Sequence, residues 1–240
     1  MIAPLVEVHA DAAALATSVA GELLVRLADA QEAGRDPQIV LTGGTIADAL
    51  HHELARLSPG SEVDWTRVVV WWGDERFVAA DSPDRNAGQA RRAFLDAVGA
   101  TQVHEMPSTD DGADVEAAAS AFADVIHQHG SDEFEVVMLG LGPDGHVASL
   151  FPGFPQLEVD DRVAVGVTGS PKPPPERISL TFGALNRSRA LWVIASGDGK
   201  AEAVAAALDV EGTVHDTPAR GAHGRHETTY FLDREAASHL

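Results

Sequence analysis

A chain of 240 residues with 45% apolar side chains and no cysteine can bury a large core, and it excludes a disulfide framework and thiolate chemistry. Its formal net charge of −20 disfavours a nucleic-acid surface, which needs clustered Lys and Arg to neutralise phosphates. The few cations that cluster are therefore informative about a small anionic ligand.

The apolar runs are short and broken by charge, so none reads as a membrane span. The opening MIAPLVEVHADAAALA lacks the basic region and long apolar core of a secretory signal, and cytoplasmic residence is expected. LVEV, Leu5 to Val8, reads as a short strand. Leu15, Val19, Leu23 and Leu27 then recur four apart, a helical stripe. PQIVLTGGTIADALHHEL gives strand, glycine turn and helix, and RVVVWWGDERFV a buried strand ending in charge. NAGQARRAFLDAV reads as a helix with Asn86 as its N-cap and Ala90, Phe94 and Val98 along one side. DVEAAASAFADVIHQHG is a further helix and EFEVVMLGLG a further buried strand. A short helix of a turn or two is expected after His146, limited by Pro152 and Pro155. RVAVGV and RISL read as strands around the proline-rich SPKPPPER, whose cluster Pro171 to Pro175 is expected to be a surface loop. RALWVIASGDGKAEAVAAAL repeats strand, glycine loop and helix, and TTYFLDREAASHL closes with strand and helix. Strands alternating with helices predict one α/β domain over residues 1–240, a Rossmann-like open, mostly parallel sheet with helices on both faces.

In such sheets ligands bind beyond the carboxyl ends of the strands, and four strand exits here carry polar or glycine sequences. LTGGT can curl its backbone so that the amides of Gly43 and Gly44 face an anion at a helix N-terminus. GDER puts Arg76, a planar fork suited to phosphate, beside Asp74 and Glu75, which can hold it in place. GDGK places Lys200 at the start of a helix, where a cation is unfavourable unless an anion joins it. The fourth exit, LGLGPDGHVASLFPG, contains Gly140-x-Gly142-x-x-Gly145, the spacing of a dinucleotide turn. The prolines that follow and the Asp144 carboxylate argue against a pyrophosphate. His146, at a glycine-bounded exit, instead suits a general base. Asp144 can either orient that ring or bind a substrate hydroxyl.

Together, LTGGT, WWGDERFV, DRNAGQARRAFL, GPDGHVASLFP, SPKPPPERISLTFGALNRSR, SGDGKAEAV and YFLD resemble the 6-phosphogluconolactonase family nearly end to end. Members hydrolyse 6-phospho-D-glucono-1,5-lactone in the oxidative pentose phosphate pathway. The resemblance implies a fold shared with glucosamine-6-phosphate deaminases and a hydrolysis that needs no metal and no cofactor. It implies a histidine base at His146; Asp144 and Arg76 are the other expected catalytic residues. Gly43, Gly44, Thr45, Asp74, Asn86, Arg177 and Lys200 are the expected substrate contacts, with Arg76 and Lys200 at the phosphate. Two positions depart from the family pattern: Thr45-Ile46-Ala47 stands where many members have Thr-Pro or Ser-Thr-Pro, and Arg85 stands where many carry serine before Asn86. Lys172 and Arg177, on and beside the proline loop, are candidates for a lid. The expected partner is a small sugar phosphate lactone, with no nucleic acid and no membrane, in a monomer or weak homodimer. Two other readings are a deaminase of the same fold, although GDER and VASLFPG differ from that branch's motifs, and a non-catalytic sugar-phosphate sensor.

Overall fold

The runs QIVL and VVWW are buried at every position, as is FEVVML before its final glycine. Successive residues of a strand point to opposite faces, so burial at every position requires cover on both sides. The computed structural model describes residues 3–131 and 133–240. It places these runs at the centre of a seven-stranded sheet with every pairing parallel.

The strands of this sheet are β1 (Leu5–His9), β2 (Gln38–Leu41), β3 (Val69–Trp72), β5 (Gln102–Val103), β6 (Phe134–Gly140), β9 (Ser188–Ala195) and β10 (Glu227–Asp233), in the order β1-β10-β9-β6-β2-β3-β5. From β2 the chain continues to β3 and β5 on one side, while β6, β9 and β10 lie on the other. The reversal between β2 and β6 is a topological switch point, where open parallel sheets leave a crevice at their carboxyl ends.

Helices α1 (Ala12–Glu32), α2 (Thr45–Leu57), α5 (Val115–His129) and α7 (Ala201–Leu208) connect these strands. The stripe Leu15, Val19, Leu23 and Leu27 is fully buried along α1. Asp11 caps that helix by accepting from the Ala14 amide at 2.9 Å, and Asp114 caps α5 through the Ala117 amide at 2.8 Å.

The charged end of the RVVVWWGDERFV run is a strand of its own. Asp74–Arg76 forms β4, which pairs antiparallel with β8 (Arg177–Leu180), itself paired with β7 (Ala164–Val167) in a second, three-stranded sheet. Gly73 joins the two sheets: its amide donates to Leu41 O at 3.0 Å and its carbonyl accepts from Leu180 N at 2.8 Å. The proline cluster lies in the β7–β8 connection, and Pro171, Pro173 and Pro175 are exposed.

Three local expectations need correction. Asn86 is the first residue of α3 (Asn86–Ala90) rather than its cap. A π turn over Arg91–Leu95 follows and leads into α4 (Asp96–Val98). No helix follows His146: Ala148 takes a positive φ of 49°, and the chain folds back on itself through a bridge between Val147 and Leu150. The segment after β10 forms turns rather than a closing helix, and β5 and the short α6 (Phe182–Leu185) carry too few residues for a periodicity to show.

Candidate active site

The exits of β2 and β6 meet at the switch point, where the Gly140 amide donates to Thr42 Oγ1 at 3.1 Å. Above them lies a cleft of about 220 Å³ lined by Gly43, Gly44, Asp74, Arg76, Asn86, His146, Arg177 and Lys200. Eight of the expected site residues therefore share one hollow. Thr45 does not. It is exposed as the first residue of α2 and lines two neighbouring hollows with Gly44.

The β6 exit presents His146. Gly142 N donates to His146 O at 2.8 Å and Gly145 N to Gly142 O at 3.0 Å, closing a tight loop. Gly145 needs its positive φ of 81°. A Cβ on Gly142 would lie 2.0 Å from His146 Nδ1, so only glycine leaves the ring its place. The imidazole, 15% exposed, tilts against Phe151 with ring centroids 4.6 Å apart. Asp144 Oδ1 lies 2.5 Å from Nδ1. That contact places the carboxylate on the ring, the first of the two arrangements open in the sequence. With Nδ1–H donated to the carboxylate, Nε2 is left with a free lone pair. Burial pushes the Asp144 carboxyl up, but the hydrogen bond and charge of His146 outweigh it and hold it at about 2.

Alternation along β4 sends Asp74 and Arg76 to one face and Glu75 to the other. Asp74 accepts from the buried Ser149 hydroxyl at 2.6 Å, which ties β4 to the His146 loop. Arg76 Nη1 donates to Asp84 O at 2.9 Å and to Asn86 Oδ1, while Asn86 Nδ2 donates to Asp74 O at 3.0 Å. A Cβ on Gly43 would fall 1.8 Å from Asn86 Oδ1, so the β2 exit and α3 are packed backbone against amide.

Arg177 is buried and directly opposite Arg76 in the β4–β8 register. Its guanidinium donates to the carbonyls of Pro174 at 2.9 Å, Lys172 at 3.1 Å and Pro173 at 3.3 Å. It thus anchors the proline loop over the cleft. Burial lowers its affinity for a proton; Asp74 opposes this and Arg76 adds to it. Lys200 Nζ donates to Leu141 O at 2.6 Å. Burial, then the neighbouring charge of Lys172, pushes its ammonium down, with Asp144 opposing.

Many cations elsewhere pair with acids, among them Arg26 with Glu227, Arg35 with Glu135, Arg67 with Asp36, Arg162 with Glu116 and Arg189 with Glu133. Among the described residues, Arg76, Lys172, Arg177 and Lys200 have no carboxylate within 4.0 Å, and all four line this cleft. In a chain of net charge −20, that is a pocket prepared for an anion.

Sequence reasoning missed Phe151, and it placed Glu75 beside Arg76 without its contacts to α3. Phe151 looked like one more apolar residue before a proline, and nothing in its neighbours signals a ring packed on the imidazole. Glu75 stood in the GDER run, but its true partners lie on α3.

The family described as glucosamine-6-phosphate isomerases/6-phosphogluconolactonase matches residues 10–231. The chain is 44% identical over 248 aligned positions to a 6-phosphogluconolactonase of Streptomyces coelicolor, covering 99% of this chain and 95% of the relative. The solved 6-phosphogluconolactonase of Shewanella baltica superposes with a TM-score of 0.85 at 26% identity, over 97% of this chain and 98% of that one. A monomeric glucosamine-6-phosphate deaminase superposes almost as well, with a TM-score of 0.83 over 98% of this chain and all of its own; at 19% identity it speaks to the shared fold alone. The chain therefore belongs to the family of glucosamine-6-phosphate isomerases and 6-phosphogluconolactonases, on its lactonase branch.

Proposed function

We propose that this chain hydrolyses 6-phospho-D-glucono-1,5-lactone to 6-phospho-D-gluconate. The observation that carries the reading is the presence, in one cleft, of an Asp144-backed imidazole and the opposed Arg76–Arg177 pair. The first can take a proton from water; the second can hold a phosphate dianion away from the reacting carbon. The names of the full-length relatives support the same substrate.

In this reading Arg76 and Arg177, with Lys200 adding charge, bind the phosphate and fix the sugar's orientation, so that remote binding energy serves the reacting end. A water at His146 gives up its proton to Nε2 and attacks C1. The lactone carbonyl is already an activated ester, so modest assistance suffices. The oxyanion that forms is stabilised by the Gly43 and Gly44 amides at the α2 N-terminus. Collapse breaks the bond from C1 to the ring oxygen, and the proton held by the imidazolium neutralises that oxygen. Asp144 holds the ring through Nδ1 across the two transfers. Asp74 supplies a polar contact to the sugar, and Asn86, bonded to Arg76, one at the phosphate end.

The test is acid release from freshly generated 6-phosphogluconolactone, with the spontaneous opening subtracted. Enzyme-dependent release is expected, with no ammonia released from glucosamine 6-phosphate. Ammonia release without lactone opening would assign the chain to the other branch.

A further inference from the structure

Glu75 is the one member of the β4 triplet that faces away from the cleft, and it is 1% exposed. Its Oε1 accepts from Arg76 N and from Asn86 N, each at 2.8 Å, and its Oε2 from Ala87 N at 2.9 Å. A single carboxylate thus does what Asn86 was expected to do, capping α3. It also holds the main chain of both residues whose side chains meet in the cleft, Arg76 and Asn86.

Behind it lies Arg85, 3% exposed, with Nε 4.0 Å from Glu75 Oε2. Its other nitrogens donate to Met106 O at 2.6 Å and Pro107 O at 3.2 Å, and one lies 3.9 Å from Glu105. The guanidinium is thereby fixed from three directions. Burial pushes the Glu75 carboxyl up, with the Ala87 and Asn86 amides and then Arg85 pulling against it. Removing either partner leaves the other charge stranded in the interior.

We propose that Glu75, backed by Arg85, is a positioning residue that sets Arg76 and Asn86 for the anionic end of the substrate. The assignment rests on the lactonase reading for its substrate but not for its geometry. It acts at the phosphate end and leaves His146 untouched, so its signature is selectivity rather than turnover.

The experiment uses the full chain, with kinetics on 6-phosphogluconolactone and on unphosphorylated glucono-δ-lactone, and calorimetry with inorganic phosphate. Glu75→Gln keeps the shape but can no longer accept from all three amides. KM for the phosphorylated lactone should rise about tenfold, the scale of one misaligned charge-assisted contact. Phosphate affinity should fall by a similar factor, with kcat and the rate on the unphosphorylated lactone within about twofold. Parallel losses on both lactones, or unchanged phosphate affinity, overturn the proposal.

If Glu75→Gln does not fold, Arg85→Lys decides, because it keeps a buried cation while losing the fork on Met106 and Pro107. The ratio of KM values should then move the same way by a smaller factor, and an unmoved ratio overturns the assignment. Should the wild type bind phosphate but open no lactone, the lactonase reading fails and the phosphate affinities alone judge Glu75. A wild type that opens the lactone but binds no phosphate leaves the lactonase reading standing and defeats the Glu75 assignment.

Discussion

Arg76 and Arg177 are Cα partners across the antiparallel β4–β8 pair, so their guanidinium-bearing side chains stand on one face of a small sheet. Like charges directly opposite destabilise a strand pair, and a third cation, Lys172, sits on the loop above. The arrangement becomes favourable when a dianion enters between them. Inorganic phosphate should therefore raise the melting temperature of the wild type by ligand linkage, while chloride at equal ionic strength should not. Arg76→Gln should lose most of that increment, and its KM for the phosphorylated lactone should rise about 10- to 100-fold. Equal phosphate-induced shifts in wild type and variant would remove Arg76 from the anion site.

The contact between Asp144 and His146 makes separable claims about rate and pH. His146→Ala should lower kcat about 100-fold or more, the usual scale for losing a general base. Asp144→Asn should cost less, about tenfold, since an amide oxygen can still accept from Nδ1–H but brings no charge to the contact. With its carboxyl held at about 2, Asp144 is ionised throughout the working range. Its contribution to stability is present above the ordinary aspartate value of about 3.8 and fades as pH falls from there toward 2. A pH–rate profile should thus show no limb near pH 4 that Asp144→Asn abolishes. Finding one would contradict the assignment.

Much of the cleft was legible because the central strands are buried on both faces. Runs such as VVWW and FEVVML announce a parallel sheet, and a parallel sheet sends every exit to one edge, so LTGGT, GDER, LGLGPDGH and SGDGK had to converge. What was illegible depended on partners far away in sequence. The Asp74–Arg76 strand pairs with Arg177–Ser179 about a hundred residues on, and a charged triplet carries no apolar alternation to betray it. Asn86 looked like a cap because asparagine prefers that place, yet a distant carboxylate took the role. The helix expected after His146 failed at Ala148, whose left-handed backbone is not something alanine signals. Thr45 was read with its glycines, but one helical step carries it out of the cleft.

Gly142 offers a test of geometry without touching a charged group. An alanine methyl there would lie 2.0 Å from His146 Nδ1 and 2.5 Å from Asp144 Oδ1, so the ring and the carboxylate must separate. Gly142→Ala should lower kcat about 10- to 100-fold, approaching the effect of deleting the imidazole. KM should change less, because the cations are untouched. Gly199→Ala is the control, since no atom lies within 4 Å of its added methyl. Near-normal turnover in Gly142→Ala would show that the ring can work from another position.

His51 is a second histidine with an opposite character. It is 1% exposed in α2, its ring centroid 4.9 Å from that of Phe94, and its Nδ1 has no hydrogen-bond partner. Burial, with a smaller contribution from His52, pushes it down to about 3. The unfolded chain protonates this ring near pH 6.5 while the native state resists. In that interval the unfolded state binds more protons, so stability is lost as pH falls from about 6.5 toward 3. Between pH 6.5 and 5 the loss is about 2 kcal/mol, or about 4–8 °C in Tm for a chain of this size. His51→Leu keeps the site apolar and removes the titration, so its melting temperature should fall less than that of the wild type over this range. Identical slopes in the two proteins would mean that the buried ring accepts its proton without opening the core, and that the acid sensitivity resides in another group.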